Sequence, residues 1–210
     1  MSVDTLTAPA ASLEEERRDE SGQRSIVLAL LTMAVVLDQA TKWWGWRHVP
    51  AIINGGGDWL VGSRVGEWYA GPVSGALLDL LDFGLVGIAA YVLIRHRRPT
   101  LVLISGALLV GGWGSNLLDR LAIHHVTAPG SGRGAVDFIQ LGGQYYNVAD
   151  FLIAIATPLL LLALGYQGWR ATDRPVTPAR NRWVGARAWV FTGAFCCMVV
   201  VAVGAASYGG

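Results

Sequence analysis

Five long apolar stretches constrain the fold of this 210-residue chain more than any other feature of its sequence. Each is about 20 residues long, the length that a helix needs to cross the hydrocarbon core of a bilayer. Only 15% of the residues are charged, and the formal net charge is +1. These values exclude a disordered chain and a nucleic-acid-binding protein, and they predict an all-α polytopic membrane protein. The predicted spans are residues 25–46, 73–94, 100–121, 147–166 and 188–207.

The basic residues predict the orientation of these spans, because Lys and Arg accumulate on the cytoplasmic side of a membrane. Eleven of the 16 basic residues precede the first span or lie in the segments that join spans two to three and four to five. We therefore expect a cytoplasmic N-terminus, external segments at residues 47–72 and 122–146, and an external C-terminus.

The segments between and around the spans differ in composition. Residues 1–24 mix charges with Ser, Thr and Ala and predict a disordered cytoplasmic tail, and residues 167–187 form a basic cytoplasmic loop. Residues 51–72 mix β-branched and aromatic residues with glycines, which predicts short strands and tight turns. The overall prediction is a helical bundle in residues 25–166, an additional helix in residues 188–210, and a small extracytoplasmic β-rich segment.

Ionisable and amide side chains collect at the predicted outer ends of the spans. Such groups are costly inside a membrane and indicate function by default. Four separate pieces of chain bring them to the same leaflet: Asp38 and Lys42 in span one, Asn116, Asp119 and Arg120 in span three, Asp137 in the external segment, and Asn147 and Asp150 in span four.

Two interpretations of these residues remain open at this point. Asp38 and Asp119 each have a basic residue close in sequence, Lys42 and Arg120, so these four fit ordinary polar bonding between helices. Asp137 and Asp150 have no such partner. Two carboxylates that approach each other near a dry boundary would share one proton, as in aspartic proteases, where one takes a proton from water and the other donates to the scissile carbonyl.

Four sequence blocks resemble, in the same order, the signature blocks of the lipoprotein signal peptidase family, also called signal peptidase II. These blocks are LDQATKWW at 37–44, GGWGSNLLDRL at 111–121, VDFI at 136–139 and YYNVADFLI at 145–153. The resemblance covers residues 25–166. It implies a four-helix intramembrane aspartic endopeptidase of the bacterial cell membrane, to which residues 188–210 add a fifth helix.

The resemblance also implies roles for individual residues. Asp137 and Asp150 would be the catalytic pair, acting without a metal ion or organic cofactor. The substrates would be prolipoproteins modified with diacylglycerol, cut just before the lipidated cysteine, by a monomeric enzyme in contact with membrane lipid. The expected supporting or substrate-binding residues are Asn54, Gly56, Asn116, Asp119, Arg120, Asn147, Asp38 and Lys42.

Two features depart from the family pattern. Asp58 stands where the family is apolar, and a Gly-rich insertion at residues 128–135 lengthens the loop before Asp137. Span two also carries Asp79 and Asp82, for which the resemblance implies no role. They would face the site or a wet cavity, or pair with Lys42 or Arg120. They support an alternative function, a proton- or ion-coupled carrier, and a divergent family member with altered or lost activity is a further alternative.

Overall fold

The computed structural model of this protein describes residues 8–55, 67–68, 71–96 and 98–172. The predicted fifth span at 188–207, the supporting residue Gly56 and most of the loop at 167–187 lie outside the described residues.

Four long helices dominate the described part of the chain and confirm the predicted all-α polytopic fold. They are long and apolar enough to cross a membrane, over Ser21–His48, Pro72–Arg95, Thr100–Leu121 and Val148–Arg170. These bounds lie within a few residues of the first four predicted spans. The helices themselves are α1 (Ala8–His48), α2 (Pro72–Arg95), α3 (Thr100–Leu118) and α5 (Val148–Thr172), with the short α4 (His124–Thr127) between the last two.

Helix α1 begins at Ala8, although composition predicted a disordered tail as far as residue 24. Ala, Leu, Glu and Arg, which dominate the segment from Ala8 to Arg18, are among the strongest helix formers. Extending an existing helix by one residue also avoids the cost of nucleating a new one. The apolar span therefore continues N-terminally into a charged helical extension.

Helix α3 lies at the centre of the bundle. In the most apolar stretch of α3, 61% is buried inside the protein, against 6% in that of α2. Small residues let its neighbours approach closely. A Cβ atom added at Gly111 would lie 2.7 Å from the Cβ of Ala34 in α1, and one at Gly112 would lie 3.0 Å from the carbonyl oxygen of Ala149 in α5. The ends of α1, α3 and α5 are thereby brought together.

Beyond Leu118 the chain leaves the regular α-helix without breaking it. A π-helical turn spans Asp119–Ile123, and α4 follows directly. Because a π turn adds one residue per hydrogen-bonded ring, it re-aims the side chains that follow, and such turns occur frequently at functional sites.

Four short strands form two antiparallel pairs and confirm a small β-rich segment beside the helices. One strand lies in the predicted range 51–72, most of which is outside the described residues, and the other three lie at 135–146, where no strand was predicted. Strand β1 (Ile52–Asn54) pairs with β2 (Ala135–Asp137), so that Ile52 lies opposite Asp137. Strands β3 (Ile139–Leu141) and β4 (Gln144–Tyr146) form a hairpin. Its two turn residues, Gly142 and Gly143, have φ of 60° and 83°, which glycine adopts without strain.

Gly134 allows β2 to approach β1. A Cβ atom at this position would lie 2.7 Å from the backbone oxygen of Asn54, closer than side chains tolerate. The lengthened loop before Asp137 therefore ends in a strand that pairs with β1. Every residue of β2 is buried.

Candidate active site

The polar residues predicted to converge do meet at one end of the bundle, which we call the site end: the C-terminal ends of α1 and α3, the start of α5, and strands β1 and β2. Hydrogen bonds and ion pairs join eight of the ten predicted residues into one network. Its members are Asp38, Lys42, Asn54, Asn116, Asp119, Asp137, Asn147 and Asp150. Arg120 pairs elsewhere, and Gly56 is outside the described residues.

Lys42 is the single lysine of the chain, and it is fully buried. Its Nζ lies 2.6 Å from Asp38 Oδ2 and 2.8 Å from Asp119 Oδ2, and it donates to Asn116 Oδ1 at 2.6 Å. Three oxygens thus surround the ammonium group, and the contact with Asp119 Oδ2 is an ion pair without hydrogen-bond geometry. One buried cation thus compensates two buried carboxylates.

Asp38 ties three helices together. Besides Lys42, it accepts a hydrogen bond from Ser115 Oγ at 2.7 Å and one from the backbone N–H of Ala149 at 2.8 Å. The N–H of Ala149 lies in the first turn of α5, where backbone N–H groups have no acceptor within their own helix. A carboxylate there also complements the positive end of the helix dipole.

Asp119 has a different partner from the one its sequence position predicted. The adjacent Arg120 does not pair with it; Asp119 contacts Lys42 and accepts a hydrogen bond from Thr127 Oγ1 at 3.2 Å. The physical reason is that neighbouring residues on a helix point in different directions, and the π turn begins at Asp119. Its side chain therefore faces α1 and α4.

Lys42 determines how the amide of Asn116 is oriented. Because the ammonium donates to Oδ1, the Nδ2 group of Asn116 is left to donate to Asp150 Oδ1, at 3.0 Å. An amide carries an acceptor on one side and donors on the other, and the cation fixes which side faces which neighbour.

Asn147 caps α5 through contacts with Asp150, three residues further along the chain. Its Oδ1 accepts from the N–H of Asp150, and Asp150 Oδ2 accepts from the N–H of Asn147, both at 3.0 Å. This reciprocal pair is a capping box. It leaves Nδ2 of Asn147 free to donate to Asp137 Oδ1 at 2.5 Å. Asn147 is therefore in direct contact with both predicted catalytic carboxylates.

Asp137 is 1% exposed, at the end of β2. Its second oxygen accepts from Asn54 Nδ2 at 3.0 Å. Burial raises the pKa of Asp137 from 3.8 to about 6; the hydrogen bond from Asn54 lowers this pKa, the charge of Asp150 raises it, and the hydrogen bond from Asn147 and the charge of Lys42 lower it. Asp137 thus retains a proton at a pH at which an ordinary aspartate is ionised.

Asp79 is also buried, but its partners are two arginines. Arg133 Nη2 contacts its Oδ2, and Arg120 Nη1 lies 3.9 Å from its Oδ1. The sequence left open whether Asp79 would face a wet cavity or pair with Lys42 or Arg120. The structure supports pairing, but the direct partner is Arg133, which neither interpretation included, and Arg120 lies at the limit of an ion pair.

Sequence reasoning missed four participants: Ser115, Thr127, Arg133 and the backbone N–H of Ala149. Ser115 directly precedes Asn116 within a matched block, and that neighbourhood could have drawn attention to it. Thr127 ends the short helix α4, Arg133 lies in the Gly-rich segment that follows, and the contact of Ala149 uses no side chain. Within the described ranges, no group of three or more His, Cys, Asp or Glu side chains is placed to hold a metal ion.

Comparison with known proteins decides the family. The family model described as signal peptidase (SPase) II matches residues 30–166, about two thirds of the chain. The chain belongs to the signal peptidase II family. The network described above lies within the matched residues. Signal peptidase II members are proteases, and the four apolar helices make this one a multi-pass membrane protein.

Individual relatives support the assignment. The chain is 31% identical over 158 residues to a lipoprotein signal peptidase of Xylella fastidiosa (strain 9a5c), covering 67% of this chain and 89% of that protein. It is 30% identical over 152 residues to the lipoprotein signal peptidase of Acinetobacter baylyi, covering 65% and 80%. A solved structure described as a bacterial membrane enzyme shares the fold, with a TM-score of 0.51, 16% identity, and coverage of 73% of this chain and 95% of the other.

Replacing Lys42 tests the charge balance of the network. K42M leaves Asp38 and Asp119 buried without a cation, and we expect the free energy of unfolding to fall by about 3–5 kcal/mol, because an unpaired buried charge is strongly destabilising. The measurement is thermal unfolding of purified protein in detergent. The double variant K42M/D38N removes one of the two stranded charges and should recover part of the loss. Equal stability of K42M and the wild type would contradict the charge balance.

Proposed function

We propose that this protein is an aspartic endopeptidase that removes signal peptides from diacylglyceryl-modified prolipoproteins, cutting just before the lipidated cysteine. Membership of the signal peptidase II family supports the substrate class. The observation that supports the aspartic mechanism is that two carboxylates, Asp137 and Asp150, both accept hydrogen bonds from one residue, Asn147.

The burial of the two carboxylates suggests how they divide the chemistry. Asp137 is buried and retains its proton to about pH 6, which suits it to donate that proton to the scissile carbonyl oxygen. Asp150 is half-buried, so water reaches it more readily. We assign Asp150 as the base that takes a proton from the attacking water.

The reaction then balances between the two groups. The water oxygen bonds to the carbonyl carbon as its proton passes to Asp150, and Asp137 protonates the carbonyl oxygen. When the carbon–nitrogen bond breaks, the proton on Asp150 passes to the leaving amine, and Asp137 recovers its own proton as the carboxylic acid forms. Three asparagines hold the carboxylates in place throughout: Asn54 donates to Asp137, Asn116 donates to Asp150, and Asn147 donates to both.

The orientation expected from the basic residues fits this reaction. With the N-terminus in the cytoplasm, the site end lies at the outer surface, where a translocated precursor would present its cleavage segment. Trp43 and Trp44 of α1 are about half exposed at this end, as aromatic side chains at a membrane interface commonly are. The diacylglyceryl chains of the substrate would remain in the lipid.

Replacing either catalytic carboxylate by its amide tests the assignment. We expect D137N and D150N to keep the fold and to lower cleavage of a diacylglyceryl-modified precursor peptide by at least about 10²-fold, the usual contribution of a positioned acid or base. D82N makes the same change in α2 and should cleave at the wild-type rate. The assay uses purified protein in detergent, with the unmodified peptide as a second control. A D137N or D150N variant that cuts at the wild-type rate would refute the aspartic mechanism.

The pH dependence tests the proton on Asp137. If protonated Asp137 is the acid, kcat/KM of the wild type falls as the pH rises through about 6. Asn54 donates to the ionised carboxylate and so lowers its pKa; the N54L variant loses this donor, the pKa of Asp137 rises, and the fall should move to higher pH. Q39L, which removes an amide bonded to Ser115 instead, should leave the profile unmoved. A profile of N54L that shifts to lower pH would contradict the assignment.

A further inference from the structure

One buried carboxylate on α2 holds two pieces of chain that flank the proposed active site. Asp79 is fully buried, and its two oxygens face Arg133 and Arg120. Arg120 belongs to the π turn after α3, and Arg133 to the segment that leads into β2. Asp79 therefore connects the second span to both.

The segment held by Arg133 leads directly to Asp137. Arg133 precedes Gly134, which packs against the backbone of Asn54, and β2 begins one residue later. Asp137 follows Arg133 by four residues, at most about 13 Å of extended chain. Every residue of β2 is buried, so the strand cannot easily change its conformation. A displacement of Arg133 would therefore also displace Asp137.

Helix α2 packs less against the rest of the protein than the other three spans do. Most of its apolar side chains are not covered by other parts of the protein. Few packed side chains therefore fix the position of α2 relative to the site end. A buried carboxylate is costly unless a cation stays beside it. The pair of Asp79 and Arg133 thus favours one arrangement of α2, the inserted loop and β2.

We propose that Asp79, acting through Arg133, is a positioning residue for the proposed peptidase reaction. It fixes the approach of β2 and so keeps Asp137 between Asn54 and Asn147. This inference rests on the proposed function. It gives a role to the Gly-rich insertion at residues 128–135 and to an acid in span two, neither of which the family resemblance explains.

A double-variant cycle on kcat tests the inference. We measure kcat and KM of wild type, D79N, R133Q and D79N/R133Q on the diacylglyceryl-modified precursor peptide, using protein that elutes as a single folded peak. R133Q should lower kcat about tenfold with KM within about twofold, since misplacing a reacting group by about 1 Å can cost up to about 10²-fold. In the D79N background, R133Q should have almost no further effect. D82N, with the same substitution one turn along α2, should keep the wild-type kcat.

The outcomes separate this inference from the proposed function. If the wild type does not cut the peptide, or if D137N does, the proposed function fails and this inference with it. If both behave as proposed, a wild-type kcat in R133Q overturns the positioning role alone. Additive effects of D79N and R133Q on kcat would also overturn the positioning role, and so would an equal loss of kcat in D82N. If D79N does not fold, the R133Q variant still tests the inference, because Arg133 is partly exposed in a loop. A purely structural role of Arg133 would lower the stability of the protein without lowering kcat of the folded fraction.

Discussion

The site end depends on the requirement that every buried charge has a partner. Asp38, Asp119 and Asp137 are almost completely buried, and Lys42, buried among them, supplies the compensating cation for the first two. Leaving either carboxylate without the ammonium would cost several kcal/mol. The position of one lysine on α1 therefore fixes where the ends of α1 and α3 lie, and Asp38 extends the same constraint to the start of α5.

Two asparagines carry this arrangement from the cation to the proposed catalytic pair. Lys42 orients Asn116, Asn116 contacts Asp150, and Asn147 joins Asp150 to Asp137. The contact between Asn147 and Asp150 is also the cap of α5, so the interaction that starts the helix also positions Asp150, the proposed base. The same side chains thus have a structural role and a proposed chemical role. Ordinary polar bonding between helices is observed for several of these residues, and it does not exclude a function.

The candidate site residues came from the polar side chains at the span ends and from the family resemblance, and their roles stay predictions. Hydropathy and residue type were sufficient to predict the four described spans and, among the strands, β1. They could not predict which groups pair, because pairing depends on direction as well as on sequence distance. Asp119 turns toward Lys42 and away from the adjacent Arg120 at a π turn that no composition signals. Arg133 and the backbone of Ala149 act through the course of a loop and a helix start, which only the folded chain determines. The charged extension of α1 from Ala8 shows the converse: a polar composition suggested disorder, while helix propensity and continuity with the span favoured a helix.

The protonation of Asp137 is the point on which the proposed chemistry depends most closely. Infrared difference spectra of wild type and D137N in detergent, recorded as the pH is raised, would observe it directly through the carbonyl stretch of a protonated carboxylic acid. We predict a band in the wild type that disappears as the pH passes about 6 and that is missing from D137N. A wild-type spectrum without such a band, or a band that persists unchanged in D137N, would contradict a buried proton held at the proposed catalytic pair.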